Sequence, residues 1–499
     1  RAAEARRGRN SKADQRAERK GRNGRAESRA EAKLSKKDWR KMSKRERMAA
    51  ARAEAERRRR EEAERRRLIA LAIARRRAAD QALKDEAAAN IMKDETTGED
   101  LRVRRAALDA LGDKAGTVVV MNPKTGQVYT VVNQEWGLRR GYKPCSTVKL
   151  VTGLAGLTEH VIDPVQTVNI GTSSFSLDLT DSLAYSNNGY FQRVGGQVGF
   201  SKMMEYAKKL GLGEPTGINH PFESPGRLPV FKDGYAVNHM SSHGDDIEVT
   251  AIQLARMASA IGNGGKLLIP HLPRTPEENV KFKREVKRDI DIPSDNLRLI
   301  TPGMIGATSY GTARRAAAPF TIAGKTGTCT GQGSKLGLFT SYGPVGDPTL
   351  AVSVILRNSG MSGPKAAVVA GDVYRRLAYD ARFAPKPGSQ PMLANDMVAP
   401  RPHIDPRKAA EVSDEEKDDD AAEADAAGTA DKSDAYVVST NDESTGTQRP
   451  ALQKTGKFGE RPAAQPATAA PRSNNNNTAA PAPGGVERPR RVTDNNKPE

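Results

Sequence analysis

The sequence is poor in aromatic residues, cysteine and histidine. Aromatic residues make up 5% and hydrophobic residues 37% of the 499 positions, whereas folded domains average about 45–50% apolar residues. Two cysteines are too few for a disulfide-rich scaffold or a cysteine-based zinc site. The six histidines form no HExxH pattern, and His239 and His243 are predicted to lie in a solvated loop. These shortages argue against a zinc hydrolase, and no metal or other cofactor is expected.

Long apolar runs are also missing. The best candidate is residues 68–74, which lie between two triple-arginine segments. A helix that spans a bilayer needs about 20 apolar residues, and this run is at the lower limit for a signal peptide. The sequence therefore predicts no clear export signal or membrane anchor in this chain.

The net charge of +19 is unevenly distributed, because residues 1–90 hold more than a third of the Lys and Arg but only a quarter of the Asp and Glu. Residues 1–95 are predicted to be a basic arm rich in Arg, Ala and Glu. Within it, residues 44–90 lack Pro and Gly and favour a long helix. Such an arm is typical of a contact with anionic lipid or nucleic acid, and a solvated linker helix accounts for it equally well. No specific recognition of nucleic acid is expected.

Two further regions follow the arm. Residues 384–499 are rich in Pro, Ala, Asp, Asn and Ser, and they are predicted to be a disordered, low-complexity tail. Residues 96–383 show strand and helix patterns and are predicted to form the folded domain. The expected helices cover residues 146–160, 201–210, 249–261 and 365–377, and the expected strands residues 117–121, 127–132, 338–342 and 350–356. Strands at both ends with helices between them predict an α+β, three-layer domain.

One motif suggests a nucleotide-binding loop and fails that test. Gly324-Lys325-Thr326 would need a glycine five positions before Gly324, where Pro319 stands. An NTPase is therefore not expected.

Another motif places a serine and a lysine one helical turn apart. Ser146-Thr147-Val148-Lys149 opens a predicted helix, so the Ser146 and Lys149 side chains lie on one face. The helix N-terminus stabilises an anion that forms beside Ser146. An amine whose pKa is lowered by burial or a nearby cation can accept the hydroxyl proton. This spacing is common by chance, and alone it predicts only an ordinary helix start.

Two more motifs make the pattern specific. Ser186-Asn187-Asn188 and Lys325-Thr326-Gly327-Thr328 follow in the order and context of SxxK, SxN and KTG, the motifs of the serine acyl-transferases that penicillin inhibits. Residues 100–383 thus resemble a class B-like transpeptidase domain of penicillin-binding proteins. The likeness implies an antiparallel sheet flanked by helices, as in the serine β-lactamases. Residues 211–218, 223–229 and 249–265 are similar to segments that lie between the motifs in that family.

The resemblance implies a catalytic role for five residues. Ser146 would be the nucleophile, and Lys149 would be the base that activates it. Ser186 would relay a proton to the leaving group, while Asn188 would position the acyl side chain and Lys149. Lys325 would lower the pKa of Lys149 and attract the substrate carboxylate.

The rest of the third motif is implied to bind the substrate through Thr326, Gly327 and Thr328. The hydroxyls of Thr326 and Thr328 would hydrogen-bond the carboxylate. The backbone N–H groups of Ser146 and Thr328 would form the oxyanion hole.

The two cysteines flank these motifs. Cys145 precedes the nucleophile, and Cys329 lies two residues after Gly327. In this fold the two positions face each other, and some related carbapenem-hydrolysing serine β-lactamases carry a disulfide there. A Cys145–Cys329 disulfide is therefore expected, with two free buried thiols as the alternative. A disulfide would suit an oxidising compartment outside the cytoplasm.

The sequence departs from the family pattern in three places. Residues 96–116 are too few for the large N-terminal accessory domain. Residues 242–246, Ser-His-Gly-Asp-Asp, stand where the family often has Gly-Gln-Gly, so this wall of the cleft is expected to differ. No Glu-x-x-Leu-Asn segment follows the second motif. Because class A β-lactamases use that Glu to activate the deacylating water, its absence predicts a long-lived acyl-enzyme.

The leading hypothesis is a peptidoglycan D,D-transpeptidase that acts through an acyl-serine on stem peptides ending in D-Ala-D-Ala. A D,D-carboxypeptidase or a β-lactamase would use the same residues, and a non-catalytic sensor or scaffold is the remaining alternative. The expected ligands are stem peptides and β-lactams, and a glycan polymerase is a candidate partner. This chemistry belongs to the cell envelope, at the extracytoplasmic face of the cytoplasmic membrane.

Overall fold

A computed structural model describes residues 42–164, 166–169 and 176–385. The predicted tail therefore lies outside the described residues from position 386 onward. In chain order, the helices are α1 (Lys44–Ile91), α2 (Leu101–Leu111), α3 (Lys149–Thr158), α4 (Leu179–Ala184), α5 (Asn188–Val198), α6 (Phe200–Lys209), α7 (Tyr235–His243), α8 (Ala251–Gly262), α9 (Pro276–Val280), α10 (Ser294–Ser309) and α11 (Gly363–Leu377). The strands are β1 (Gly116–Met121), β2 (Val128–Val132), β3 (Val168–Asn169), β4 (Ser176–Leu177), β5 (Lys266–Leu268), β6 (Val286–Asp289), β7 (Ala323–Gly331), β8 (Ser334–Gly343) and β9 (Leu350–Arg357).

Helix α1 confirms the long helix predicted within the basic arm. Ser43 and Glu46 form a capping box, in which each side chain accepts a hydrogen bond from the other's backbone N–H. Exposed i,i+4 ion pairs follow along the helix: Arg58–Glu54, Arg60–Glu56, Arg57–Glu61 and Arg66–Glu62. Ala87 is its one buried residue. Across the described residues, no helix is both long enough and apolar enough to cross a membrane.

The C-terminal third of α1 is attached to the domain. Arg76 donates a hydrogen bond to the Ser359 carbonyl at 2.7 Å. Asp80 accepts hydrogen bonds from both the backbone N–H and the hydroxyl of Ser359. Farther along, Glu86 accepts a hydrogen bond from the indole of Trp136 at 3.0 Å. These polar contacts fix the end of the helix against the loop that follows β9 and the turn that follows β2.

The central sheet has the strand order β2-β1-β9-β8-β7, and all neighbouring strands are antiparallel. Strands β1 and β2 confirm the strands expected at residues 117–121 and 127–132, and they pair as a hairpin with Val118 opposite Val132. Strand β9 pairs with β1 on one side and with β8 on the other. The two ends of the domain thus meet in one sheet, and β7 is left as an edge strand.

Both faces of the sheet are covered by helices. In β1, Val119 and Met121 belong to the core that includes Leu254 of α8, whereas Val118 and Val120 belong to the core beneath α2 and α11. This alternation is what a strand buried on both faces requires. The arrangement confirms the predicted α+β, three-layer fold.

Several local features differ from the sequence-based expectations. Helix α2 was not predicted; Asp100 caps it by accepting hydrogen bonds from the N–H groups of Arg102 and Val103. The prediction of a loop around His239 and His243 was wrong, because both lie on α7 with their rings stacked at 3.8 Å. That helix ends at Gly244, whose left-handed conformation (φ 74°) is a frequent helix stop.

Candidate active site

The first motif lies at the junction of a turn and a helix. Ser146 belongs to a 3₁₀ turn, Cys145–Val148, and Lys149 is the first residue of α3. Cys145 has φ 49°, which is uncommon for a residue other than glycine and marks a locally strained backbone. Ser146 is 3% exposed and Lys149 fully buried. The turn therefore presents the serine one helical turn from a buried amine.

The second motif occupies the link between two helices. Ser186 lies just beyond α4 with φ 60°. Asn187 caps α5 by accepting a hydrogen bond from the N–H of Tyr190 at 2.8 Å, and Asn188 is the first residue of that helix. The left-handed residue and the cap together direct Ser186 and Asn188 toward Lys149.

The third motif lies on the edge strand β7, whose residues alternate between two faces. On one face, Gly327 approaches the serine turn so closely that an added Cβ would lie 3.1 Å from the Pro144 carbonyl oxygen and 3.2 Å from Cys145 Cβ. On the other face, Thr328 accepts a hydrogen bond from the N–H of Gly363 at 2.8 Å. The absence of a side chain at Gly327 thus lets the strand lie against the turn that carries Ser146.

The two motif lysines meet at Ser186. Lys149 Nζ lies 2.5 Å from the Ser186 carbonyl oxygen, 3.1 Å from its Oγ and 2.6 Å from Asn188 Oδ1. Lys325 Nζ lies 2.7 Å from the same Oγ and 2.9 Å from the Thr326 carbonyl oxygen. Both amino groups thus lie within hydrogen-bonding distance of one hydroxyl. This geometry suits proton transfer through the Ser186 hydroxyl.

The two cysteines join the first and third motifs. The structure contains a Cys145–Cys329 disulfide with a Cα–Cα distance of 5.6 Å, which connects the serine turn to β7. The disulfide and the close approach of Gly327 therefore involve the same two segments, the serine turn and β7. Within the described ranges, no group of three or more His, Cys, Asp or Glu side chains is arranged to hold a metal ion.

The segment that departs from the family pattern packs against the serine turn. A Cβ added to Gly244 would lie 2.5 Å from Pro144 Cγ. Asp245 forms an ion pair with Lys143 at 2.6 Å and accepts a hydrogen bond from His239. Burial alone would raise the pKa of Asp245, but the hydrogen bond from His239 and the charge of Lys143 hold it well below its usual range. A charged cluster thus supports this wall of the cleft.

One residue of the site has no counterpart in the motifs. The Thr312 hydroxyl lies 2.6 Å from the Thr326 hydroxyl. Only its place shortly before the third motif, in the segment Tyr310-Gly311-Thr312, could have drawn attention to it.

A family model of the penicillin-binding protein transpeptidase domain matches residues 116–375, just over half of the chain. The chain therefore belongs to the penicillin-binding protein transpeptidase domain family, which confirms the resemblance drawn from the three motifs. The matched segment runs from β1 into α11 and includes every motif residue.

Similar curated proteins point in the same direction. The peptidoglycan D,D-transpeptidase MrdA of Haemophilus influenzae is 26% identical over 354 residues, which cover 55% of this chain and 54% of that protein. The stage V sporulation protein D of Bacillus subtilis is 24% identical over 309 residues, covering 52% of this chain and 48% of that protein. The chain thus spans about half the length of the curated relatives it matches.

A solved structure supports the fold. Penicillin-binding protein 2 of Pseudomonas aeruginosa, in complex with WCK 5153, superposes with a TM-score of 0.51 at 24% sequence identity. The match covers 59% of this chain and 77% of that chain.

Proposed function

We propose that this chain is a serine D,D-transpeptidase of peptidoglycan synthesis that acts on stem peptides ending in D-Ala-D-Ala. The observation that carries the proposal is the meeting of Lys149, Asn188 and Lys325 around Ser186, next to the turn that presents Ser146. Family membership and the names of the relatives support the same assignment.

In the acylation step, Ser146 Oγ attacks the carbonyl carbon between the two D-Ala residues while Lys149 accepts the hydroxyl proton. The backbone N–H groups of Ser146 and Thr328 stabilise the tetrahedral oxyanion. The proton passes through Ser186 to the amine of the leaving D-Ala as the C–N bond breaks. An acyl-Ser146 ester and free D-Ala result.

In the transfer step, the amine of a neighbouring stem peptide attacks the ester. Its proton returns through the same lysine and serine to Ser146, which leaves as the free hydroxyl. A water molecule in place of the amine would make the protein a carboxypeptidase. In the acylation step Lys325 and Thr326 bind the carboxylate of the terminal D-Ala through charge and hydrogen bonds.

We place this activity in the cell envelope, at the extracytoplasmic face of the cytoplasmic membrane, because peptidoglycan cross-links form there. The Arg-rich sequence of α1 favours contact with the headgroups of anionic lipids. A glycan polymerase that supplies uncross-linked strands is the proposed partner, since a transpeptidase needs such strands as substrate.

The first test is the intact mass of the full chain after incubation with benzylpenicillin, beside a Ser146→Ala variant. We expect a stable adduct with the wild-type chain and none with the variant. In a separate assay, only the chain with Ser146 should release D-Ala from a pentapeptide. Consumption of penicillin without an adduct would indicate a β-lactamase. If the folded protein forms no adduct and consumes no penicillin, the proposal is overturned.

A second test separates transfer from hydrolysis. With a pentapeptide donor and an amine acceptor, mass spectrometry of the products is expected to show the donor acyl group joined to the acceptor. Formation of only the hydrolysed tetrapeptide would identify a carboxypeptidase instead.

A further inference from the structure

The turn between α10 and β7 brings a residue outside the three motifs to the Lys325 strand. Thr312 Oγ1 lies 2.6 Å from Thr326 Oγ1, so one hydroxyl donates a hydrogen bond to the other. Thr326 Oγ1 is also 3.4 Å from Lys325 Nζ, which can donate to it. The hydroxyl assigned to the substrate carboxylate is thus linked to an additional residue.

Thr312 is held in place from the opposite side. Its backbone N–H donates to the Ala184 carbonyl at 3.1 Å, and its hydroxyl lies 3.4 Å from the same oxygen. Gly311 fits here only because it has no side chain, since an added Cβ would lie 2.2 Å from the Ala184 carbonyl oxygen.

The neighbouring Tyr310 strengthens this attachment. It donates a hydrogen bond to Asp181 Oδ1 of α4 at 2.7 Å. Burial and the hydrogen bond to Asp181 raise the pKa of Tyr310, so the phenol stays protonated and keeps donating. The turn is therefore anchored to α4 just ahead of the second motif.

These contacts close a path between the second and third motifs. It runs from Ser186 Oγ to Lys325, then to Thr326, Thr312 and the Ala184 carbonyl, two residues before Ser186. Thr312 is the member of this path that bridges the strand and α4.

We propose that Thr312 is a positioning residue that sets the direction of the Thr326 hydroxyl hydrogen toward the substrate carboxylate. A threonine hydroxyl has one hydrogen to donate and can accept two. When Thr312 donates to Ala184, Thr326 donates to Thr312. When a carboxylate binds, Thr312 donates to Thr326 instead, and the Thr326 hydrogen turns toward the carboxylate. This inference rests on the proposed function, because it assumes a carboxylate-bearing substrate.

The test is stopped-flow acylation of the full chain by benzylpenicillin, which separates the Kd of the non-covalent complex from the acylation rate constant. Thr312→Val is expected to raise that Kd about tenfold, because the network that binds the carboxylate of the ligand loses one hydrogen bond. The acylation rate constant should stay within about threefold, because the base and nucleophile are untouched. Thr312→Ser, which keeps the hydroxyl, should restore the Kd.

Two controls separate this role from a structural one. Thr308→Val removes a hydroxyl on α10 whose partners are the Ile305 and Ile322 carbonyl oxygens, and it should leave the Kd unchanged. In a Thr326→Val background, Thr312→Val should cause no further loss, since the two hydroxyls act together.

The inference fails if Thr312→Val leaves the Kd unchanged. It also fails if Thr312→Val lowers the acylation rate constant, or if it raises the Kd further in the Thr326→Val background. Should Thr312→Val not fold by circular dichroism, Thr312→Ala and Thr312→Ser provide the same comparison. A wild-type chain that penicillin does not acylate would overturn the proposed function as well, which distinguishes the two failures.

Discussion

Helix α1 and the transpeptidase domain are stabilised in different ways. Along residues 44–75 the helix relies on Ala, Glu and Arg, on its cap and on exposed ion pairs, each worth about 0.3–0.5 kcal/mol. The domain instead buries both faces of its sheet, and its site depends on close contacts between segments distant in sequence. Changes in the helix should therefore have small, local effects, whereas changes at the site should disrupt several motifs at once.

The largest effect is expected at the contact between β7 and the serine turn. Gly327→Val would push the strand away from Pro144 and Cys145, and misplacement of catalytic groups by about 1 Å can cost on the order of 100-fold in rate. The acylation rate with benzylpenicillin measures this loss. Gly360→Val is the matched control, since an added Cβ there meets nothing closer than 3.7 Å. Equal rates for both variants would show that the close approach does not matter.

The disulfide should come next. Replacing Cys145 and Cys329 by serine removes a cross-link between residues 184 positions apart, which typically lowers the free energy of unfolding by about 2–5 kcal/mol. Urea unfolding of the variant and of the oxidised wild type gives the difference. Wild type treated with dithiothreitol should match the variant. A loss below about 1 kcal/mol would mean that the packing around Gly327 alone holds the two segments together.

Most residues of this site, but only part of the fold, could be predicted from the sequence. The three motifs predicted which residues would meet, because their spacing follows from a shared architecture. Apolar runs on either side of the Pro- and Gly-containing segment 122–126 predicted strands β1 and β2. The insertion of β9 between β1 and β8 could not be read from local pattern, since it depends on pairing across more than 200 residues. The backbone at Cys145 and Ser186 is left-handed, and the sequence could not predict this because residues other than glycine seldom adopt that conformation.

A smaller effect is expected where the helix joins the domain. Asp80→Ala removes the acceptor for both the N–H and the hydroxyl of Ser359, at a cost of about 1–2 kcal/mol to the attachment. Hydrogen exchange of amides in residues 76–91 should accelerate while acylation stays unchanged. Asp85→Ala, which removes a contact with Gln81 within the helix, is the control. Unchanged exchange after Asp80→Ala would mean that Ser359 does not hold the helix.

The smallest effect is expected in the exposed part of the helix. Glu62→Gln breaks an exposed ion pair with Arg66 and should change the free energy of unfolding by less than about 0.5 kcal/mol. Helicity by circular dichroism and the urea midpoint measure the result. A loss above about 1 kcal/mol would contradict the comparison, because it would require this part of the helix to pack against another surface.

The length of α1 has a geometric consequence. At about 1.5 Å per residue, the stretch from Lys44 to Arg75 extends for roughly 48 Å, and within the described residues its first hydrogen bond to the domain is made by Arg76. The length of the helix therefore sets the distance between its first turn and the residues that attach it to the domain. Each seven-residue insertion before Arg76 would increase that distance by about 10 Å.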